Sequence, residues 1–248
     1  VLAIERRFFF WVLLSCLLIV FLSGCGKKAG GGAATGSPFG DPDHPNWSHQ
    51  IVDRQNGTGR NTSIALDSKG IPHISYLDTI NHDLKYATVG GETWLITTVD
   101  SEDRVEASTS IAVDSVDQPH IAYAVFDLEE EKYCFYTADN QSGAWTCKNH
   151  SKGMFTGSEG KYNSIAIGDS DYPHFTYYYY KDPNEYLYYG YERASGTQST
   201  LFNEHEPGGE FADLALDANN KPHISFYGQG LRYHYNDGSG YAQSSYCR

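Results

Sequence analysis

Apolar and polar residues alternate with a period of two along a segment that begins at Ser63 and ends at Tyr76. Side chains of an extended strand point alternately to its two faces, so Ile74 and Tyr76 share one face and Ser75 lies on the other. A polar stretch, Asp-Ser-Lys-Gly, interrupts the alternation near its middle. The pattern therefore predicts two β-strands joined by a tight turn.

This segment is written four times in the chain. Its copies occupy residues 63–76, 110–123, 164–177 and 213–226. The Pro-His pairs within them begin at residues 72, 119, 173 and 222, so the steps are 47, 54 and 49 residues. Further strand-length segments with the same alternation follow each copy. A period of about 40–50 residues with four short strands per unit is typical of β-propeller blades.

We therefore predict an all-β fold, a β-propeller of about four four-stranded blades, with five as the alternative count. Residues 47–53 match residues 94–100, a fourth strand, but nothing before them supplies the other three strands of a blade. The last copy has its own candidate fourth strand at residues 241–247. We favour a four-bladed ring with this last segment as a loose tail. The alternative is a further blade beyond the C-terminus of this sequence.

The first 45 residues differ in composition from the repeats. Arg6 and Arg7 precede an apolar run over residues 8–22, which ends in Leu-Ser-Gly-Cys25. A short positive region, an apolar run and small residues before a cleavage site are typical of a secretory signal. The run is shorter than the roughly 20 residues that a membrane-spanning helix needs. Leu-Ser-Gly-Cys resembles the lipobox of bacterial lipoproteins.

This resemblance implies a signal peptide over residues 1–24 and a lipid on Cys25 that anchors the protein to a membrane of the bacterial cell envelope. Residues 25–45 are rich in Gly, Ala, Ser and Pro, so we predict that they form a flexible tether. We predict that residues 46–248 form the propeller domain. Gly26, where some bacteria place an Asp to retain lipoproteins in the inner membrane, implies an outer-membrane address in a bacterium with two membranes. An uncleaved anchor with a chance cysteine is the alternative.

The charge balance excludes one class of partner. The chain has 18 Lys and Arg against 31 Asp and Glu, a net charge of −13. Nucleic acids reward clustered cations, so we predict no nucleic-acid partner.

Two cysteines of the second repeat are candidates for a disulfide. A hairpin that turns at residues 140–141 would place Cys134 opposite Cys147 and Tyr136 opposite Trp145, with all four on one face. An oxidising exported compartment would then favour a Cys134–Cys147 disulfide. Two buried thiols are the alternative.

Histidine and aspartate recur at equivalent positions of all four copies. These residues are His73, His120, His174 and His223, and Asp67, Asp114, Asp169 and Asp217. A residue repeated in every blade favours a structural role, so we expect the histidines to fix the turn after Pro and the aspartates to cap it. No calcium-loop spacing surrounds the aspartates. We predict no metal, no cofactor and no catalytic residue.

The third copy departs most from the others and is the main candidate for ligand binding. It carries extra tyrosines, whose apolar faces and polar tips suit sugar stacking or a protein interface. The loops that enter each first strand also vary and gather at one end of a propeller. The candidate ligand-binding residues are Tyr178, Tyr180, Tyr186, Tyr188, Tyr191, Arg60 and Lys161. The alternative is that the tyrosines fill a surface between blades.

The repeats over residues 47–248 loosely resemble those of sialidase-like β-propellers. Sialidases carry Ser-x-Asp-x-Gly-x-Thr-Trp boxes and an arginine triad, and this sequence shows neither motif. We therefore favour a non-enzymatic, lipid-anchored binding module for a glycan or a surface protein. One alternative is a sialidase-like glycoside hydrolase acting on envelope or extracellular polysaccharide. The other is a structural envelope protein.

Overall fold

The computed structural model describes residues 49–102, 104–129, 132–141, 143–150, 158–201, 208–236 and 241–243. The described residues from Ile51 onward form one compact unit. Regular structure in the described residues is all β-strand, and none of it is a helix long and apolar enough to cross a membrane. The predicted signal segment, Cys25 and the tether lie outside the described residues.

Within the described residues, sixteen strands form four antiparallel, four-stranded sheets, and each sheet is one blade with its strands in chain order. The first blade contains β1 (Thr58–Leu66), β2 (Pro72–Asp78), β3 (Asp83–Gly90) and β4 (Thr93–Asp100). The second contains β5 (Arg104–Val113), β6 (Pro119–Asp127), β7 (Lys132–Gln141) and β8 (Ala144–Asn149). The third contains β9 (Ser158–Ile167), β10 (Pro173–Lys181), β11 (Asn184–Tyr191) and β12 (Gln198–Leu201). The fourth contains β13 (Glu210–Leu216), β14 (Pro222–Tyr227), β15 (Leu231–Asn236) and β16 (Tyr241–Gln243).

The hydrophobic core lies between consecutive blades. Leu84 and Tyr86 of the first blade pack against Ile111 and Tyr123 of the second. Clusters of the same form join the second blade to the third and the third to the fourth. Burial of apolar surface contributes about 25 cal/mol per Å², so the packing between blades stabilises their stacking. The all-β propeller of four-stranded blades is confirmed.

The two outermost sheet faces stay exposed. Ile111 and Leu214 are 5% and 7% exposed, whereas Ile64, at the equivalent position of the first blade, is 63% exposed. Likewise Leu84 is fully buried, whereas Leu231 of the fourth blade is 79% exposed. The first and fourth blades therefore do not cover each other, and the described blades form an arc. The favoured closed ring of four blades is wrong.

The end of the chain also differs from the expectation. Residues Tyr241–Gln243 form β16, which pairs with β15. This segment is the fourth strand of the last blade, so the expected loose tail is wrong. Residues 244–248 lie outside the described residues.

The hairpin of the second blade has a different register from the predicted one. Gln141 pairs with Ala144, so the strand pairing extends past the predicted turn at residues 140–141, and Cys147 pairs with Ala138. Ala138 is four positions along β7 from Cys134, which corresponds to roughly 13 Å at about 3.3 Å per residue. Disulfides need Cα atoms within about 7 Å. The predicted Cys134–Cys147 disulfide is therefore wrong, and Cys147 is a thiol.

Hydrogen bonds between turns tie neighbouring blades together. The turn between the first and second strands of one blade donates a backbone N–H to a side-chain oxygen in the same turn of the next blade. The three contacts, 2.8 to 2.9 Å long, are Ser68 to Asp117, Ser115 to Asp171, and Asp169 to Asn220. The turns therefore stay in register along the arc, and one of them lines a pocket at this end of the blades.

Candidate ligand pocket

A pocket of about 520 Å³ opens between the third and fourth blades. It lies at the end of the sheets where the first strand of each blade turns into the second. The turn at residues 168–172 and the start of β10 form one wall, and residues 220–222 of the fourth blade form the opposite wall. Arg193, from the connection after β11, also lines it. We call this space the inter-blade pocket.

Strand pairing places the aromatic and basic groups of the pocket side by side. His174 begins β10 and pairs with Tyr191 at the end of β11, so their rings stack with centroids 5.5 Å apart. The Arg193 guanidinium lies 4.6 Å from the centroid of the Tyr191 ring, a cation–π contact. Tyr172, in the turn before β10, is 36% exposed and completes the aromatic lining.

His174 is a neutral donor in this pocket. Burial, and then the nearby Arg193 charge, lower the pKa of its imidazole. The Tyr189 hydroxyl lies 2.6 Å from Nδ1. When that hydroxyl donates to Nδ1, the neutral ring carries its proton on Nε2. In that tautomer, the His174 side chain lining the pocket offers an Nε2–H group that can donate a hydrogen bond to a ligand oxygen.

The acidic side chain of Glu192 is held by the second blade. Its Oε2 lies 2.9 Å from Lys148 Nζ, and its Oε1 lies 3.5 Å from His150 Nε2. Lys148 Nζ also lies 2.7 Å from Asp139. Burial opposes the charge on Lys148, but its hydrogen bonds to Asp139 and Glu192 outweigh burial and raise its pKa. This network holds the Glu192 side chain in place at the edge of the pocket.

Of the predicted ligand-binding tyrosines, the structure places Tyr191 in the inter-blade pocket. Tyr188 stacks on Tyr177 with centroids 5.4 Å apart, and Tyr186 stacks on Tyr179 at 5.7 Å. These pairs lie on the third blade, and Tyr188 packs against the core between the second and third blades. The tyrosines of this copy therefore contribute largely to packing.

The remaining predicted residues lie away from the pocket. Tyr180 pairs with Glu185 at the opposite end of the β10–β11 hairpin. Tyr178 is 8% exposed, and Lys161 pairs with it across β9 and β10. Arg60 lies on the first blade. The structure does not bring these side chains together with Tyr191.

Two other surface features are candidates for contacts. At the end of the blades opposite the inter-blade pocket, the ring centroids of Tyr162 and Phe211 lie 4.5 Å apart, and Phe211 is 67% exposed. A second pocket of about 390 Å³ lies on the exposed face of the first blade, where Ile64 and Ile74 line it beside Tyr76. It is largely apolar and lacks the basic groups of the inter-blade pocket.

Sequence reasoning missed the pocket because it aligned the third turn one residue too late. Asp67 N donates to Ile71 O in the first blade, and Gly168 N donates to Tyr172 O in the third. Gly168, rather than Asp169, therefore stands at the repeated aspartate position, and the prediction that Asp169 caps its turn is wrong. An alignment anchored on the Pro-His pair would have shown this glycine.

No protein-family model and no curated protein matches this chain. Among solved structures, the GH93 α-L-arabinofuranosidase of Fusarium graminearum in complex with arabinobiose matches with a TM-score of 0.53 and 9% identity, covering 78% of this chain and 69% of that one. AofleA from Arthrobotrys oligospora matches with a TM-score of 0.52 and 11% identity, covering 75% and 56%. A fucose lectin from Kordia zhangzhouensis in complex with methyl-fucoside matches with a TM-score of 0.42 and 17% identity, covering 57% and 98%.

These similarities show the fold alone. The chain is a β-propeller built from four-stranded blades, and it spans little more than half the length of AofleA.

Proposed function

We propose that this protein is a glycan-binding β-propeller and that it binds sugar in the inter-blade pocket. The observation that carries the proposal is the cluster of Tyr172, His174, Tyr191 and Arg193 around one open space of about 520 Å³. Aromatic rings can stack on the apolar faces of sugar rings. Polar groups that converge around such an aromatic wall can form hydrogen bonds with the sugar hydroxyls.

The comparisons support the same class of ligand. The GH93 enzyme is described in complex with arabinobiose and the Kordia protein as a fucose lectin. Of the pocket's two carboxylates, Glu192 is paired with Lys148 and His150, and Asp169 is an exposed turn residue. Neither is arranged as a general acid beside a second carboxylate, which favours binding over hydrolysis.

The proposed address follows from the N-terminal sequence. The lipid on Cys25 would anchor the protein to the bacterial envelope, in the outer membrane where there are two membranes, and residues 26–45 would hold the propeller away from the lipid surface. Palmitate labelling of the wild-type protein and of Cys25→Ser tests this part of the proposal. A wild-type protein that takes up no label contradicts it.

The binding proposal is tested with full-length protein purified in detergent and applied to a glycan array. Arg193→Gln should weaken binding of a captured glycan about tenfold, since a charge-assisted hydrogen bond contributes about 1.5–3 kcal/mol. Arg60→Gln, on the first blade, is the matched control and should bind as the wild type does. Equal losses in both variants would place the site elsewhere.

The same glycans are then incubated with the protein and analysed for cleavage. Release of shorter products, lost in an Asp169→Asn or Glu192→Gln variant, would replace the binding proposal with the hydrolase alternative. An array that captures no glycan would reject glycan binding and favour a structural role in the envelope.

A further inference from the structure

Three of the four blades carry the same carboxylate arrangement in the turn between their first and second strands. In the first blade, Asp67 Oδ1 accepts hydrogen bonds from the backbone N–H groups of Lys69 and Ile71, at 2.9 and 2.7 Å. Asp114 in the second blade and Asp217 in the fourth accept the two equivalent bonds, at 2.8 to 3.0 Å. One carboxylate oxygen thus satisfies two backbone donors of each turn.

The other oxygen of each aspartate faces the repeated histidine. The distance from Oδ2 to the imidazole Nε2 is 3.8 Å for Asp67 and His73, and 3.1 Å for Asp114 and His120. It is 3.9 Å for the pair in the fourth blade. Each of these turns therefore gives its own aspartate two backbone N–H donors, and the imidazole stands near the second oxygen, at hydrogen-bond distance in the second blade.

The third blade keeps the donors but lacks the carboxylate. Gly168 stands at the aspartate position, and the equivalent backbone donors are the N–H groups of Ser170 and Tyr172. Neither N–H group has a side-chain acceptor among the described residues, and no described carboxylate lies against His174 Nε2. A Cβ atom on Gly168 would lie 2.9 Å from this Nε2 and 3.3 Å from Asn220 Oδ1, so both side chains lie against the place where the other turns carry their aspartate.

This empty position opens into the inter-blade pocket. Gly168, Ser170, Tyr172 and His174 all line the pocket, as does the guanidinium-bearing Arg193. The equivalent turns in the other blades hold a carboxylate with the same backbone donors, so the third turn can offer these donors to an anionic group with acceptor oxygens. Backbone N–H groups and an arginine favour such an anion over a neutral hydroxyl.

We propose that this niche binds the carboxylate of an acidic glycan, such as a uronic-acid residue, in the place of the missing aspartate. The inference rests on glycan binding in the inter-blade pocket and names the substrate class. The sugar ring would lie against Tyr172 and Tyr191 while its carboxylate accepts bonds from Ser170 N, Tyr172 N and His174 Nε2.

A matched pair of ligands tests the charge requirement. Oligogalacturonates, oligoalginates and hyaluronan oligosaccharides are compared with their own methyl esters, which keep the sugar but remove the negative charge. At least one free acid should bind the full-length protein at least about tenfold more tightly than its ester. Equal binding of acid and ester forms, or capture of neutral and sulfated glycans alone, overturns the inference and leaves glycan binding standing.

A substitution that restores the repeat tests the location. Gly168→Asp should fill the niche from within, with the His174 imidazole shifted away from the new Cβ atom, and abolish binding of the free acid. Val116→Asp is the matched control, because it adds the same charge to an exposed position of the second-blade turn and should bind normally. Arg193→Gln, which leaves the turn intact, should weaken the acid more than the ester. Unchanged acid binding by Gly168→Asp contradicts the inference.

Glycan binding in the pocket and carboxylate binding in the niche can be tested separately. Histidine resonances of the protein are followed by NMR during titration with galacturonate, the single-sugar probe. A shift of the His174 signals that is lost in Gly168→Asp supports the niche even when the array captures no glycan, in which case only the glycan proposal fails. A titration that moves no His174 signal counts against the niche whatever the array shows.

Discussion

The Tyr76 hydroxyl donates a hydrogen bond to Asp53 Oδ2 at 2.9 Å, and this contact repeats the one between Tyr123 and Asp100, at 2.7 Å. Asp100 ends the fourth strand of the first blade and meets the tyrosine of the second. Asp53 meets the tyrosine of the first blade in the same way. Residues 51–53 therefore occupy the place of a preceding blade's outer strand, as the sequence match between residues 47–53 and 94–100 suggested.

These two bonds differ in burial, which predicts different costs of removing them. Asp100 is 7% exposed, so Tyr123→Phe leaves a buried carboxylate without its donor and should lower the free energy of unfolding by about 1–3 kcal/mol. Tyr76→Phe should cost less, because the more accessible Asp53 can be hydrated. Urea unfolding of both variants measures the difference. An equal cost would contradict this assignment.

Truncation at one equivalent apolar position should cost much stability in the second blade and little in the fourth. Phe135 is fully buried, and its ring centroid lies 4.4 Å from that of Tyr177 in the next blade. Phe135→Ala should destabilise the protein by about 3–5 kcal/mol. Leu231 is 79% exposed on the outer face of the fourth blade, so Leu231→Ala should change stability by less than about 0.5 kcal/mol. A large loss for Leu231→Ala would mean that this face is covered.

His120 should make the stability depend on pH on the alkaline side. Burial opposes its charged form, but hydrogen bonds to Asp139 and Asp114 outweigh burial and raise its pKa. A pKa raised on folding gives a stabilisation that is complete below the unfolded pKa of about 6.5 and is lost as the pH rises through the folded pKa. His120→Asn should flatten this decline in the free energy of unfolding between pH 6 and pH 9. A decline of unchanged slope in the variant would contradict it.

The cysteine assignment predicts no cross-link in the second blade. Peptide mapping under non-reducing conditions should find Cys134 and Cys147 in separate peptides, because the β7–β8 register keeps them apart. Addition of a reductant should leave the urea midpoint unchanged. A Cys134–Cys147 peptide from freshly purified protein would show that the register is different.

Binding of a carboxylate ligand should become tighter as the pH falls. Burial and Arg193 lower the pKa of His174, so the imidazole is neutral near pH 7, and a bound carboxylate would raise its pKa again. Binding is then linked to proton uptake, and the affinity should rise between pH 8 and pH 5. Calorimetry in buffers of different ionisation enthalpy measures this uptake. His174→Asn should remove it, and proton release on binding would contradict the prediction.

The sequence by itself determined the blades. Period-two alternation and the spacing of Pro-His pairs depend on neighbours along the chain, so residues 63–76 and their three copies form the same strand pair in every blade. The repeated His and Asp residues were also correctly read as parts of the scaffold in blades where both are present, since His120 lies between Asp114 and Asp139 within its own sheet.

Contacts between blades decided the rest, because they join residues about 50 positions apart whose alignment the strand pattern leaves open. The second blade buries Phe135 against Tyr177, so most third-copy tyrosines became packing rather than a binding surface. Gly168 stands at the aspartate position of the third turn, which therefore lacks this carboxylate, and His174 lines the inter-blade pocket there. Only the tertiary structure shows that the third turn lies beside Arg193 and the fourth blade. This arrangement makes the inter-blade pocket a candidate binding site.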